Sequence, residues 1–242
     1  MLIKQRLKKL PRLYASLQRT YYTGLYLSER YVLGTRLHEL WWKIRQVDEM
    51  VGRSLRHPHR AFLVERIGRF APFESLLEVG CNAGPNLVVL GRTYPDARLY
   101  GIDISAQAIK VAEKVLVQDA IGNASVSMGR ADDLHRFADK SIDVALTDAT
   151  LMYVGPDKIA RALSELVRVA RKVLIFNEWC LFEGDCPGVR AYWYDAHWVH
   201  DYQALLSDMP GVRTVRVERL PHGLWGPGGW EEYGALVEVE LG

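Results

Sequence analysis

The chain has 242 residues, of which 49% are hydrophobic and 25% are charged. This composition is typical of a globular protein with one large or two unequal domains, since a domain usually spans about 100 to 200 residues. It excludes disordered and collagen-like chains. Because the sequence contains no run of about 18 uncharged apolar residues and no secretory signal, we expect a cytoplasmic protein without a membrane span.

Charge is distributed unevenly along the chain. Residues 1–70 contain 15 Lys or Arg and 5 Asp or Glu, whereas residues 71–242 contain 16 basic and 24 acidic residues. Apolar residues recur at helical intervals among the basic ones, with an interruption at Pro11. We therefore predict a basic helical extension, residues 1–70, and a second domain, residues 71–242. The extension either packs on that domain or contacts a membrane surface, a substrate or another copy of the chain.

From Ser75 onward, short apolar runs alternate with helical patterns. Strands are predicted at 75–79, 98–103, 124–129, 142–148 and 172–177, and helices at 86–94, 106–119 and 156–170. Strands separated by helices form a parallel sheet through right-handed crossovers. Two later strands, at 212–220 and 235–241, are separated by a Gly- and Trp-rich loop without a helical pattern. They predict an antiparallel end to a doubly wound, seven-stranded α/β sheet.

The first predicted strand ends in the sequence Glu78-Val79-Gly80-Cys81-Asn82-Ala83-Gly84. Its glycines allow a tight turn and a close approach of the backbone to a ligand before the next helix. Asp103 ends the second strand, where a carboxylate can accept hydrogen bonds from both hydroxyls of a ribose. Alone, Glu78 would be read as a loop cap and Asp103 as a helix N-cap. Together they predict a nucleoside site at the carboxyl ends of the strands.

The glycine spacing argues against a dinucleotide, because Gly-x-Gly-x-x-Gly is interrupted and Glu78 would put negative charge beside a phosphate. A carboxylate suits the cationic ammonium of S-adenosylmethionine instead. The loop resembles the first motif of the class I S-adenosylmethionine-dependent methyltransferases, an acidic residue followed by Gly-x-x-x-Gly, and the resemblance covers about residues 73–242. It implies a Rossmann-like fold, an enzyme that transfers a methyl group, and S-adenosylmethionine as the cofactor.

The same resemblance implies which residues bind the cofactor. It assigns the methionine end to Glu78, Gly80, Cys81, Asn82 and Gly84, the ribose to Asp103, one adenine face to Ile104, and the surroundings of the methyl group to Thr147 and Asp148. The adenine amino group is expected to meet either the carboxylate of Asp132 or the backbone of Ala131, since the sequence departs here from the family pattern.

Candidate groups on the acceptor side follow the fourth strand. Tyr153 either lines the acceptor pocket, as a hydrogen-bond partner or weak base, or is a buried ring. Glu178, His197 and His200 are candidate general bases, which are needed only if the acceptor arrives protonated. The two histidines are alternatively metal ligands or parts of a packed helix end, and we predict no metal site. The three cysteines lack zinc spacing and are expected to be reduced thiols.

Aromatic residues indicate the kind of acceptor. Tyr192, Trp193, Tyr194 and Trp198 follow the fifth strand, and Trp225 and Trp230 lie in the loop before the last strand. They either form an aromatic pocket for a small organic acceptor or cover the core. The stretch around Trp198 also resembles methylases of surface-sugar biosynthesis.

Small-molecule O- or N-methylation is the function that these residues favour. An RNA methyltransferase that uses the basic extension is the main alternative, although the place of an Asn-Pro-Pro-Tyr signature holds Asp148-Ala149-Thr150-Leu151. A non-catalytic S-adenosylmethionine-binding protein and an NAD-dependent reductase are further alternatives.

Overall fold

The computed structural model describes residues 35–44, 55–182, 191–194, 197–226 and 228–242. The basic pattern predicted before residue 34 lies outside these ranges. None of the described helices is long and apolar enough to cross a membrane.

The described chain alternates helices and strands. The helices are α1 (Arg36–Ile44), α2 (His59–Gly68), α3 (Pro85–Thr93), α4 (Ala106–Gln118), α5 (Ile159–Val169), α6 (Tyr202–Leu206) and α7 (Gly229–Tyr233). The strands are β1 (Ser75–Val79), β2 (Arg98–Asp103), β3 (Ala124–Met128), β4 (Ile142–Asp148), β5 (Ala170–Trp179), β6 (Ala191–Tyr194), β7 (His197–His200), β8 (Val212–Arg219) and β9 (Gly234–Leu241).

Seven strands form one sheet in the order β3-β2-β1-β4-β5-β9-β8. Strands β1 to β5 are parallel, and β9 lies antiparallel between β5 and β8. The predicted seven-stranded α/β sheet with an antiparallel end is therefore confirmed. The strand order reverses between β1 and β4, and in open α/β sheets ligands bind at the carboxyl ends of the strands beside such a switch.

Two local predictions were wrong. His197 and His200 were considered as parts of a packed helix end, but residues 197–200 form β7, which pairs with β6 in a separate two-stranded ribbon. Aromatic and β-branched residues in the segment favour a strand over a helix. The loop between β8 and β9 was expected to be free of helix, yet it contains the short helix α7.

The core lies on both faces of the sheet, because side chains of β1 alternate between them. Leu77 and Val79 pack with residues of α5 on one face, and Leu76 packs with α3 on the other. Leu63 and Ile67 of α2 belong to this second cluster. Helix α2 thus packs into the core of the sheet although it precedes residue 71, and the division of domains at that point stays a prediction.

An ion-pair cluster also attaches α2 to the far end of the sheet. Arg66 donates from Nε to Glu238 Oε1 at 3.0 Å and from Nη2 to Glu218 Oε2 at 2.7 Å. Arg66 and Glu238 are buried, whereas the side chain of Glu218 is 43% exposed. These contacts raise the pKa of Arg66 above its usual value, although burial opposes the rise.

Arg66→Met is expected to lower the free energy of unfolding by about 3 kcal/mol, because it leaves the Glu238 carboxylate buried without its main partner. Urea denaturation measures the change. The matched control is Arg69→Met at the C-cap of the same helix, since Arg69 makes an exposed pair with Glu65 at 3.6 Å. That variant should lose less than about 1 kcal/mol. Equal losses in the two variants would contradict this account of the cluster.

Candidate active site

A cavity of about 260 Å³ lies at the carboxyl ends of β1, β2 and β4. The loop after β1 forms one side, and α1, α2, residues 129–132, residues 148–154 and the segment after β8 contribute to the other walls. Ten of the fifteen sequence-predicted site residues line this cavity, which lies at the switch point of the sheet.

The loop after β1 depends on its glycines. Gly80 and Gly84 have φ angles of +82° and +77°, in the left-handed region that glycine adopts readily. A Cβ atom on Gly80 would lie 2.1 Å from Thr150 Oγ1, so no larger residue fits there. Gly84 does not line the cavity but precedes α3 in the left-handed conformation. The turn brings the backbone of Gly80, Cys81 and Asn82 to the cavity wall.

Two buried carboxylates, Glu78 and Asp148, share one amide. Asn86 Nδ2 donates to Glu78 Oε1 at 2.6 Å and to Asp148 Oδ2 at 2.9 Å. Burial raises the pKa of Glu78 to about 8; the Asn86 hydrogen bond opposes this rise and the Asp148 carboxylate adds to it. The second oxygen of Glu78, Oε2, is buried and has no hydrogen-bond partner among the described residues. The site therefore presents an unsatisfied acceptor to a ligand.

Helix α2 places two basic side chains, His59 and Arg60, beside the same cluster. His59 Nε2 lies 3.0 Å from Asp148 Oδ2, and Arg60 donates to Asn86 Oδ1 and lies 3.7 Å from Asp148. Burial raises the pKa of Asp148, but His59, Asn86 and Arg60 outweigh it and lower the pKa below its usual value. Neither residue could be predicted as part of the site from the sequence, because both precede the predicted domain boundary and follow no motif. Arg60 lines the cavity and is suited to a carboxylate ligand.

Asp103 is buried at the end of β2 and orders the neighbouring loops. Its Oδ2 accepts the backbone N–H of Asn82 at 3.0 Å, and its Oδ1 accepts that of Ser105 at 2.8 Å. Burial raises its pKa, and these backbone N–H groups oppose the rise. Each carboxylate oxygen has more than one acceptor site, so Asp103 retains capacity for a diol. Ile104 lines the cavity beside it.

The wall next to Ile104 contains both alternatives for the adenine contact. Ala131 and Asp132 line the cavity. The Asp132 carboxylate accepts from Arg130 Nε at 3.0 Å and Nη2 at 3.1 Å. The sequence-based choice between the Asp132 side chain and the Ala131 backbone stays open, although Arg130 already occupies the Asp132 carboxylate. Thr147 is fully buried and is not part of the cavity lining.

Helix α1 covers the cavity, with Thr35, His38, Glu39 and Trp42 in its lining. Glu39 accepts from Arg130 Nη1 at 2.8 Å and is paired with Lys158. Burial raises the pKa of Glu39, but hydrogen bonds from Arg130 and Lys158 outweigh it and lower the pKa to about 2. Thr35 Oγ1 donates to Asp157 at 2.7 Å. Polar contacts therefore hold this helix on the cavity.

The four candidate catalytic residues separate into two groups. Tyr153 lines the cavity, and its hydroxyl lies 3.2 Å from His197 Nε2. Glu178 is buried outside the lining and accepts the backbone N–H groups of Thr150, Leu151 and Met152 at 2.8, 2.9 and 3.2 Å. Burial raises its pKa to about 7, against these hydrogen bonds. Through these hydrogen bonds Glu178 orders the turn before Tyr153.

His200 has a similar structural environment. It is fully buried, and its Nε2 lies 2.8 Å from the carbonyl oxygen of Val154. Burial lowers its pKa to about 4. His197 and His200 belong to a strand, where residues three apart point to opposite faces. Among the described residues, no group of three His, Cys, Asp or Glu side chains could hold a metal ion.

The segment after β8 closes the remaining side. Trp225 lines the cavity and stacks on His59, with ring centroids 4.0 Å apart. Trp230 in turn stacks on Trp225, with ring centroids 4.2 Å apart and the rings nearly parallel. The predicted aromatic loop therefore lies beside the Asp148 cluster.

Comparison with known families identifies the chemistry of this site. Residues 77–175 match a family model described as a methyltransferase domain. The chain therefore contains a methyltransferase domain of the class I, S-adenosylmethionine-dependent type. The implied family and cofactor are thereby confirmed. No curated protein matches the methyltransferase by sequence.

Several solved structures share the fold of this methyltransferase. An S-adenosylmethionine-dependent methyltransferase from Aquifex aeolicus has a TM-score of 0.58 and 20% identity, covering 81% of this chain and 99% of its own. Magnesium protoporphyrin IX methyltransferase from Synechocystis PCC 6803 has a TM-score of 0.56 and 17% identity, covering 89% and 96%. Geranyl diphosphate C-methyltransferase from Streptomyces coelicolor A3(2) has a TM-score of 0.57 and 17% identity, covering 76% and 78%.

The cavity of the methyltransferase fits S-adenosylmethionine. The buried oxygens Glu78 Oε2 and Asn82 Oδ1 have no hydrogen-bond partners among the described residues and suit an ammonium donor. Arg60 would bind the carboxylate, Asp103 the ribose, and Ile104 with Ala131 the adenine. The cofactor residues predicted from the sequence keep these roles as predictions, and Arg60 joins them.

Asp103→Ala is expected to weaken binding of S-adenosylhomocysteine by about 1.5 to 3 kcal/mol, because it removes hydrogen bonds to a charged acceptor. Isothermal titration calorimetry measures the affinity. Asp139→Ala is the control, since Asp139 is exposed and pairs with Arg168 away from the cavity. Unchanged affinity in the Asp103 variant would refute the ribose assignment.

Binding of S-adenosylhomocysteine is also expected to tighten as the pH rises from 6 to 8. Below its pKa of about 8 the Glu78 carboxyl is protonated in the ligand-free enzyme. The ligand's ammonium favours the carboxylate, so binding releases a proton, and affinity should rise by up to about tenfold per pH unit. Calorimetry in buffers of different ionisation enthalpy measures this proton release.

Glu78→Gln is the isosteric control for the pH experiment. The amide does not titrate, so its affinity should be nearly constant over the same range. A wild-type affinity that is equally constant, with no proton release, would show that Glu78 is already ionised in the ligand-free enzyme.

Proposed function

We propose that this methyltransferase transfers the methyl group of S-adenosylmethionine to an oxygen or nitrogen atom of a small organic acceptor. The observation that carries the proposal is the pairing of Tyr153 with His197 at an aromatic wall of the cofactor cavity. The ring of Tyr153 meets those of His38, Trp42 and His197 at centroid distances of 5.5, 5.0 and 5.0 Å. An apolar wall with few polar groups is typical of small-molecule sites.

The enclosure of the cavity favours a small acceptor over RNA. Helix α1 covers one side through Glu39 and Thr35, and Trp225 covers another. A base flipped from RNA would need a stacking pocket and a path for the backbone through these walls. The named acceptors of two enzymes with the same fold, geranyl diphosphate and magnesium protoporphyrin IX, are small molecules. They support the same class of acceptor here.

The bound cofactor supplies a methyl group that its sulfonium already activates. The chain's own residues align the acceptor, exclude water and remove its proton. Orientation alone contributes about 7 to 11 kcal/mol to such reactions in well-positioned systems. In our proposal the Tyr153 hydroxyl donates to His197 Nε2 and accepts a hydrogen bond from the acceptor. As the acceptor loses its proton to the Tyr153 oxygen, the phenolic proton moves to His197.

Methyl-labelled S-adenosylmethionine tests the class of acceptor. The full-length enzyme is incubated separately with an ultrafiltered small-molecule extract and with total RNA from the same cells. Label is expected in the small-molecule fraction. Label that enters RNA alone would overturn the proposal and favour the nucleic-acid alternative.

Tyr153→Phe is expected to lower the rate of label transfer by about 100-fold, the usual contribution of acid–base catalysis. Its affinity for S-adenosylhomocysteine should stay within about twofold of wild type, since the removed hydroxyl faces the acceptor side. Tyr100→Phe is the matched control, because Tyr100 lies on β2 outside the cavity and packs on Phe137. Full activity in the Tyr153 variant would exclude the proton path.

A further inference from the structure

Helix α1 has two dissimilar faces. Its inner side chains, including His38, Glu39 and Trp42, line the cavity. Its outer face consists of the exposed side chains Arg36, Leu40, Trp41, Lys43 and Ile44. Leu40, Trp41 and Ile44 are 55, 40 and 70% exposed, an unusual degree of exposure for large apolar residues that lie on one short helix.

The charge on the outer face has a single sign. Arg36 and Lys43 flank the apolar side chains, and Glu39, the acidic residue among those described in α1, faces the cavity and pairs with Arg130 and Lys158. A helix that presents bulky apolar residues with flanking cations is suited to the interface of a lipid bilayer. Anionic head groups would complement the cations, at about 1 kcal/mol for each Lys or Arg near the surface.

The apolar and basic character extends beyond the helix. Lys43 lines a shallow groove together with Met128, His135 and Arg136. Met128 is 50% exposed at the end of β3, which is the edge strand of the sheet. Asp133 also lies in this groove, where its carboxylate is 2.7 Å from His135 Nδ1. The groove thus adds the apolar side chain of Met128 and the basic side chain of Arg136 to the outer face.

We propose that the outer face of α1 docks on the surface of a membrane rich in anionic lipids. A symmetric contact between two copies of the chain is disfavoured, because it would bring Arg36 and Lys43 of each copy close to the same cations of the other. A helix with its side chains is about 10 to 12 Å across. Docking would therefore place the cavity lining on the inner face about one helix diameter from the lipid.

Co-sedimentation of the full chain with vesicles tests the proposal. Wild-type protein is expected to bind phosphatidylglycerol vesicles more tightly than phosphatidylcholine vesicles. The double variant Leu40→Asp with Ile44→Asp should lower the partition coefficient at least tenfold. Lys43→Ala should lower it about fivefold on phosphatidylglycerol, because it removes one cation near the surface, and should change it little on phosphatidylcholine.

Val117→Asp is the matched control. Val117 is 81% exposed near the end of α4, and because that helix runs antiparallel to the strands, it lies at the opposite end of the sheet from the cavity. This variant should bind vesicles like the wild type. Retained S-adenosylhomocysteine binding in every variant shows that the fold is intact. The vesicle readout requires no methyl transfer, so its outcome is independent of the proposed reaction.

Three results would overturn the proposal. They are wild-type protein that does not sediment with either vesicle, a double variant that sediments as well as wild type, and a wild-type dimer that the double variant converts to monomer without any vesicle binding. The last result, measured by light scattering, would assign the outer face to a second copy of the chain.

Discussion

The burial of three carboxylates at adjacent strand ends is the constraint on which the site depends. Glu78, Asp103 and Asp148 lie at the carboxyl ends of β1, β2 and β4, and burial raises the pKa values of the first two. Carboxylates in a low-dielectric setting are costly unless they are protonated, paired or hydrogen-bonded. The burial of each carboxylate is compensated differently. Glu78 has a raised pKa, and Asp103 accepts two backbone N–H groups. Asp148 is surrounded by polar and basic side chains, namely His59, Asn86, Asn177 and Arg60. The site consequently holds both an acceptor for an ammonium and, in Arg60, a donor for a carboxylate.

The segments before residue 71 form ion pairs with charged residues in the later part of the chain. Arg60 lies beside Asp148, Arg66 binds Glu218 and Glu238, and Glu39 binds Arg130 and Lys158. The Arg60 and Arg66 pairs thus use part of the charge asymmetry between the two parts of the chain, whereas the Glu39 pairs have the opposite polarity. Without α2, Asp148 would lose two of its neighbours and the core cluster around Leu76 would lose Leu63 and Ile67. The methyltransferase fold and the preceding helix α2 are therefore interdependent.

The sequence was informative where a backbone rule fixes a residue's position. Gly80 requires a left-handed turn, and Asp103 ends a strand whose tip must reach the switch point, so both could be placed from pattern alone. His59 and Arg60 could not, because they reach the cavity through the packing of α2, which no local signal encodes. Glu178 and His200 have the residue types of general bases, but their burial against the turn after β4 is a tertiary property. The strand at 197–200 was missed because its pairing with β6 outweighs the helix-like, three-residue spacing of His197 and His200.

The two helices that complete the cavity are attached by different forces. Helix α2 buries Leu63 and Ile67 in the core and is anchored by the partly buried Arg66 cluster. Helix α1 is held by the Glu39 pairs and the Thr35–Asp157 hydrogen bonds, while Leu40 and Ile44 remain exposed. Fully burying a large aliphatic side chain contributes about 1.5 to 3 kcal/mol, whereas a pair with partial exposure contributes about 0 to 1 kcal/mol. Of these two helices, α1 therefore requires less free energy to displace when a ligand enters or leaves the cavity.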